Sequence, residues 1–193
     1  MTRMLLKEGL LSCLANNSFE SVTVTSLCKA SGITRSTFYL HYSNIMEIVD
    51  DLVDDAISYS RPGMVDNNNL QIIAKALSAT SDSISLREAY DSIFDRLPLC
   101  QRIIRHKKYL PLFLDEQISE YVLQRIIGRE KDRQGLVMAE ALGTSFDVGV
   151  SVFVFLVHGL YAVNKQYKWS QSDEWLEAQK IIFELVYRGL QRK

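Results

Sequence analysis

The chain has 193 residues, a formal net charge of −1 at pH 7 and a hydrophobic fraction of 47%, which is ample for a sizeable core. The overall charge excludes a broadly basic protein, but nucleic-acid binding depends on where charge lies rather than on the sum. Residues 1–45 carry four basic residues against two acidic ones, and residues 46–60 carry only acidic ones: Glu47, Asp50, Asp51, Asp54 and Asp55.

Apolar residues recur at helical spacing along almost the whole chain, and no alternating segment is flanked by hairpin turns. We therefore predict an all-α fold. In the first third of the chain the predicted helices cover about 2–16, 23–31, 34–41 and 43–59. Thr23 and Thr34 are predicted to cap the second and third of these, and Ser43 or Asn44 the fourth.

The clearest break in the chain follows at residues 61–69, which are rich in Pro, Gly and Asn. Further helices are predicted near 70–80, 86–96, 98–107 and 111–127. Ser85 and Glu88 have the spacing of a capping box, and Pro98 and Pro111 each suit a first helical turn. The charged segment Gly128–Gly135 is predicted to be a loop, followed by two long helices at about 136–167 and 172–191.

The most informative stretch runs from Thr23 to Tyr42, where two short helices meet at Gly32. Glycine can adopt the left-handed conformation that a tight turn requires. The apolar positions of the pair are predicted to pack against the first helix: Val24, Leu27, Cys28, Ile33 and Phe38. The other face of the second short helix then carries hydroxyl, cationic and aromatic side chains: Thr34, Arg35, Ser36, Thr37, Tyr39 and His41.

Such a face suits a polyanion, because the free N–H groups and the dipole of a helix N-terminus favour phosphate. In a helix-turn-helix, the second helix enters the major groove and presents its N-terminal residues to base edges. The spacing alone fits equally well a helix pair in some other helical fold, with its polar face solvated.

Residues 2–58 resemble the DNA-binding domain of the TetR family, through Phe19–Val24, Ala30–Ile33 and Ser36–Tyr42. The resemblance implies that Thr23 and Thr25 contact phosphate and that Tyr39 and His41 contact the DNA backbone. It also implies that Thr34, Arg35, Ser36 and Thr37 reach base edges or nearby phosphates. Arg35 is the best candidate for direct readout, because a guanidinium can bond guanine through two hydrogen bonds.

One position departs from that pattern. The family usually has a lysine at the start of the fourth helix, where it touches phosphate, and this chain has Ile45. Loss of that cation predicts weaker DNA binding with a flatter salt dependence, without loss of sequence readout.

We expect residues 1–45 to form the DNA-binding domain and residues 46–193 to form a helical regulatory and dimerisation domain. The body loosely resembles a TetR subgroup of dihydroxyacetone-kinase-regulator-like proteins, over residues 98–127 and 153–190. The last two helices have more apolar surface than one small body needs, and in the family they form a dimer interface. The predicted interface residues are Phe146, Val150, Phe153, Val154, Val157, Ile181 and Leu185.

A ligand pocket is predicted at His158, Tyr161 and Trp169, with ordinary core packing as the alternative for each. Cys13, Cys28 and Cys100 form no Cys-x-x-Cys pair, so neither a zinc site nor a disulfide framework is predicted. The longest apolar run, within Val152–Val163, falls short of the ~20 residues of a membrane span, and no signal peptide is recognised. We therefore expect a soluble cytoplasmic protein with no metal or cofactor and no membrane contact.

No catalytic motif is present, so we do not expect an enzyme, and a small helical enzyme is the least favoured class. The resemblance implies a ligand-responsive transcriptional repressor. It would bind a palindromic operator in double-stranded DNA as a homodimer and respond to a small-molecule effector. The alternative is a TetR-fold co-activator that acts mainly through protein–protein contact, which Ile45 favours.

Overall fold

The computed structural model describes residues 1–60, 69–78, 85–97, 101–102 and 107–190, and those residues form helices and turns with no β-strand. This confirms the predicted all-α fold. Most of the predicted break at 61–69 and of the predicted helix at 98–107 lies outside the described residues, as does Cys100, and Asn69 belongs to a helix. Contacts group residues 1–59 with 106–128 as one compact unit, and residues 60–105 with 129–193 as a second.

The helices are named here in chain order. They are α1 (Thr2–Leu14), α2 (Val24–Ser31), α3 (Arg35–Tyr39), α4 (Ile45–Ser60), α5 (Asn69–Ser78), α6 (Leu86–Ser92), α7 (Pro111–Leu114), α8 (Ser119–Leu142), α9 (Phe146–Gln166) and α10 (Asp173–Leu190). Short 3₁₀ turns lie at Phe19–Ser21 and Phe94–Arg96. The bounds of α2 and the capping box of Ser85 and Glu88 at α6 agree with the sequence prediction.

The core of the first unit is formed by the apolar faces of its amphipathic helices. The fully buried side chains are Leu6 and Leu10 of α1, Leu27 of α2, Phe38 of α3, Ile48, Val49 and Leu52 of α4, Leu112 of α7 and Val122 of α8. Removing this apolar area from water is what stabilises the short helices α2 and α3, because helices of eight and five residues are marginal alone.

Asp115 divides what the sequence predicted as one helix at 111–127. Its carboxylate accepts hydrogen bonds from the backbone N–H groups of Gln117 and Ile118, at 2.9 and 3.2 Å, just before α8 begins. The other carboxylate oxygen accepts from the backbone N–H of Phe19 at 2.6 Å. The predicted continuous helix is therefore wrong at this point, because an aspartate that bonds nearby N–H groups stabilises a helix start.

The predicted loop at Gly128–Gly135 is also wrong, because α8 runs through it and ends at Leu142. The turn lies instead at residues 143–145, where Gly143 has a left-handed φ of +61°. Packing explains the continuous helix. A Cβ built on Gly135 would lie 2.4 Å from a methyl carbon of Val150, and one on Gly149 would lie 2.2 Å from the Gly135 carbonyl oxygen. These glycines permit close approach of α8 and α9, which outweighs their low helix propensity.

The second unit has an aromatic core. Trp175 of α10 is fully buried and packs edge to face against Tyr90 of α6, with ring centroids 5.2 Å apart. Ile73 and Leu77 of α5 are buried in the same unit. Helix α9 is long and apolar enough to cross a membrane, and 22% of its most apolar stretch is buried within the chain. Length and composition are weak indicators of a membrane span, because core and interface helices share them.

Candidate nucleic-acid interface

Two capping interactions fix the ends of the short helices. The Thr23 hydroxyl accepts from the backbone N–H of Ser26 at 3.1 Å, and the Ser26 hydroxyl accepts from the backbone N–H of Thr23 at 2.9 Å. The Thr34 hydroxyl accepts from the backbone N–H of Thr37 at 3.1 Å. Gly32 joins the two helices with a left-handed φ of 65°, as its place in the turn predicted.

Helix α3 presents its polar side chains away from the core. Thr34, Arg35, Ser36, Tyr39 and His41 are exposed and Thr37 is half-buried, whereas Phe38 on the opposite side is fully buried. The Thr34 hydroxyl lies 2.9 Å from that of Ser36 and 2.8 Å from that of Thr37, which gathers three hydroxyl groups at one end of α3. Arg35 forms no hydrogen bond or ion pair with the described residues.

The residues predicted to contact phosphate at α2 have different surroundings. Thr25 and Thr23 are both exposed. The Thr23 side chain is already engaged in the cap of α2, so it offers less to a phosphate than an unengaged hydroxyl would. Both side chains are accessible to a ligand, and their contacts with phosphate stay a prediction.

The basic residues of α1 are paired with acidic residues of α4. The Arg3 guanidinium lies 2.7 Å from the Asp51 carboxylate, and the Lys7 ammonium lies 2.5 Å from that of Asp55. Both cations belong to the four basic residues of the segment 1–45. The charges of Arg3 and Lys7 are thus neutralised within the unit. The other two basic residues of that segment, Lys29 and Arg35, form no ion pair with the described residues.

The start of α4 carries the position where the family pattern has a lysine. Asn44 caps the helix by accepting from the backbone N–H of Glu47 at 3.1 Å, and the Glu47 carboxylate accepts from the backbone N–H of Ser43 at 2.8 Å. Ile45 is half-buried in the first turn. This end of α4 therefore combines an apolar residue with a carboxylate, which disfavours an approaching phosphate.

The residues predicted to line a ligand pocket lie in the second unit. Tyr161 and Trp169 are buried and pack edge to face, with ring centroids 5.5 Å apart, and His158 is half-buried. This placement fits core packing as well as a pocket wall, so the pocket stays a prediction.

Two groups of buried amide side chains in the same unit were not identified from the sequence. The Trp175 indole N–H donates to the Asn164 side-chain oxygen at 3.0 Å. The Gln101 amide donates to Gln179 at 2.8 Å, and the Tyr90 hydroxyl donates to Gln101 at 3.1 Å. Among the described residues, the side-chain nitrogens of Asn164 and Gln179 have no hydrogen-bond partner. Such groups can bind a buried water or an uncharged polar molecule.

The predicted dimer-interface residues occupy more than one face of their helices. Ile181 and Leu185 are exposed, as is Phe146. Phe153 is buried within the chain, and three valines are half-buried: Val150, Val154 and Val157.

Two exposed apolar residues of α9 were missing from the predicted interface. Phe155 is 74% exposed and Val148 is 47% exposed, and their separation of seven residues places them on one face. Because α9 is apolar on all sides, the period of the sequence could not distinguish its inner from its outer face. The closely packed Gly149 could have indicated the inner one.

Among the described residues, no group of three or more His, Cys, Asp or Glu side chains is arranged to hold a metal ion. No protein-family model matches the chain, and no curated protein matches it. Among solved structures, the TetR family repressor AlkX from Dietzia sp. Strain DQ12-45-1b aligns with 99% of this chain and 96% of its own, at 13% identity and a TM-score of 0.43. A TM-score this low does not establish a common fold.

Proposed function

We propose that this chain is a sequence-specific DNA-binding transcriptional regulator of the TetR type. The observation that carries the proposal is the outward face of α3, where the exposed Arg35 lies beside three clustered hydroxyl groups, with Phe38 buried on the opposite side. Arg35 would bond a guanine in the major groove, Ser36 and Thr37 would reach base edges or phosphates, and Tyr39 and His41 would contact the backbone.

The proposed regulator binds as a homodimer. Phe155 and Leu185, at 74% and 65% exposed, leave apolar surface on α9 and α10 that a second copy would cover. Two-fold symmetry would space two α3 helices about one DNA turn apart, ~34 Å, so the operator is expected to be palindromic.

We further propose that the protein is a cytoplasmic repressor whose second unit binds a small-molecule effector. Tyr161, Trp169 and His158, together with the buried amides of Asn164 and Gln179, are the residues that support an effector site. An effector that binds one conformation of the dimer more tightly than another would change operator affinity by that difference.

Selection of bound sequences from a random duplex pool, followed by footprinting on the DNA upstream of the gene, tests this function. The salt concentration must be fixed, because phosphate contacts make affinity salt-dependent. We expect an inverted repeat whose half-sites are about one turn apart. Binding without any sequence preference, or no binding at low salt, would contradict the proposal.

The second candidate function is a co-activator of the same fold that acts by protein contact. It is favoured by Ile45 and Glu47 at the start of α4 and by the neutralised cations Arg3 and Lys7. A protein that selects no DNA sequence alone, but does so together with a second regulator, would support this alternative over direct DNA readout.

A further inference from the structure

Leu40 is 82% exposed, and among the large apolar side chains of the described residues only Met1 is more exposed. It directly follows α3 and keeps helical geometry, with φ −73° and ψ −19°, and its N–H donates to the Ser36 carbonyl at 3.2 Å. Two residues correspond to about 200° around a helix, so Leu40 points away from the side that Phe38 buries.

The position of Leu40 places it on the face proposed to meet DNA. It follows Ser36 by four residues and Thr37 by three, and residues with these separations are neighbours on a helix surface. Isolated exposed leucines are common on protein surfaces and need no special cause. This leucine, however, adjoins the hydroxyl cluster, so docking of α3 in the major groove would bring it against base edges.

A leucine side chain has no hydrogen-bonding atom. In the major groove the apolar group that base pairs present is the C5-methyl of thymine. The neighbouring serine and threonine hydroxyls both donate and accept, so they discriminate poorly between bases. An apolar contact at Leu40 would add discrimination that those hydroxyls do not supply.

We propose that Leu40 reads one thymine in each half-site by packing against its C5-methyl group. The inference rests on the proposed DNA-binding function and adds a specificity-determining residue to it. Replacing the leucine removes an apolar contact and no charge, so the phosphate contribution to binding should stay unchanged.

The experiment uses the full-length protein and the duplex recovered by selection. Each thymine is replaced singly by uracil, which lacks only the methyl group, and affinity is measured by fluorescence anisotropy at fixed salt. For the native protein we expect one position per half-site where uracil weakens binding about fourfold, the fold-change for one buried methyl group. Leu40→Ala should bind the thymine duplex more weakly and show no difference between thymine and uracil there.

Two control variants separate the contact from general effects. Leu40→Met keeps an apolar side chain and should retain the uracil sensitivity. Leu114→Ala removes another exposed leucine of the same unit and should behave as the native protein. Selection of no sequence would overturn the proposed function and this inference together. A selected sequence without a uracil-sensitive thymine, or equal sensitivity in Leu40→Ala, would overturn the inference alone.

Discussion

The hydroxyl of Tyr42 donates a hydrogen bond of 2.6 Å to the carboxylate of Asp51, and the same hydroxyl accepts one of 3.1 Å from the Arg3 guanidinium. Arg3 also lies over the Tyr42 ring, 4.9 Å from its centroid. Three segments of the first unit therefore meet at one buried hydroxyl: α1, the turn that joins α3 to α4, and α4 itself. These contacts fix the position of α3 relative to α1 and α4.

Tyr42→Phe is expected to lower the free energy of unfolding by about 1–3 kcal/mol, because it removes a hydrogen bond to a charged group and leaves Asp51 and Arg3 with fewer partners. Urea denaturation at neutral pH measures the loss. Tyr39→Phe, which removes an exposed hydroxyl, should be nearly neutral. Equal stability of Tyr42→Phe and the native protein would contradict the structural role of this hydroxyl.

The same tyrosine predicts a loss of stability at alkaline pH. Burial, with the hydrogen bond to Asp51, raises the pKa of Tyr42 from 10 to about 12, against the opposing effect of Arg3. The folded state therefore holds this proton more tightly than the unfolded state. Its contribution is fully present below pH 10 and is lost as pH rises toward 12, by about 2–3 kcal/mol. Denaturation curves between pH 9 and 12 should fall less for Tyr42→Phe than for the native protein.

Arg35→Ala should weaken operator binding by about 1–3 kcal/mol and relax the preference at one base pair per half-site. Arg35→Lys is the matched variant, because it keeps the charge but not the two parallel hydrogen bonds. It should retain non-specific affinity while losing the preference for guanine. If affinity and base preference are unchanged in both variants, Arg35 does not read a base pair.

Ile45→Lys should raise affinity for specific and non-specific DNA alike and steepen the salt dependence by about one unit per DNA-binding head, because it adds one phosphate contact. Ile45→Met changes the packing without adding charge and should leave the slope unchanged. A lysine variant with native affinity and slope would show that the start of α4 does not lie on the DNA backbone.

Phe155→Asp should dissociate the proposed dimer, because two-fold symmetry places each carboxylate in a desolvated surface without a partner. Its exposure means that the fold of one chain should survive the change, which circular dichroism checks. Leu114→Asp, at an exposed leucine outside α9 and α10, is the control. Sedimentation of the native protein at micromolar concentration decides the matter, since a clean monomer would contradict both the dimer and the palindromic operator.

Gly149→Ala should destabilise the second unit by about 1–3 kcal/mol, because its added Cβ would lie 2.2 Å from the Gly135 carbonyl oxygen and α8 and α9 would have to separate. Gly128→Ala makes the same change at a helical position where no atom other than those of its chain neighbours and its own helix backbone lies within 4 Å, and should stabilise the protein by up to ~1 kcal/mol. Melting temperatures of the two variants that both lie above, or both lie below, that of the native protein would contradict the close packing.

The helix-turn-helix could be predicted from the sequence because its determinants are local. Thr23, Gly32 and Thr34 act on backbone groups within a few residues, and the structure has them as predicted. The errors arose where distant contacts decide the outcome. In the sequence, Gly135 looks like the end of a loop, and only its close packing against α9 explains why it lies inside a helix. Asp115 interrupts a predicted helix, and its carboxylate also accepts a hydrogen bond from the distant residue Phe19.

In the candidate site, too, the features set by neighbouring residues could be predicted, and those set by distant contacts could not. Exposure of Arg35 and Ser36 follows from their position relative to Phe38, which helical spacing gives directly. Pairing of Arg3 with Asp51 requires α1 to lie beside α4, and a charge count along the sequence carries no such information. The sequence also could not identify the outer face of α9, because Phe153 and Phe155 differ in burial but are the same residue type.

The ion pairs of Arg3 and Lys7 with α4 would affect how quickly the proposed regulator finds its operator. Proteins with a strongly positive DNA-binding surface are held near any duplex and slide along it, since non-specific affinity comes from phosphate neutralisation. Here the two cations of α1 are matched by carboxylates of the same unit, so long-range attraction is weak. Such a protein would search the chromosome mostly by three-dimensional diffusion and would leave ordinary DNA soon after each encounter.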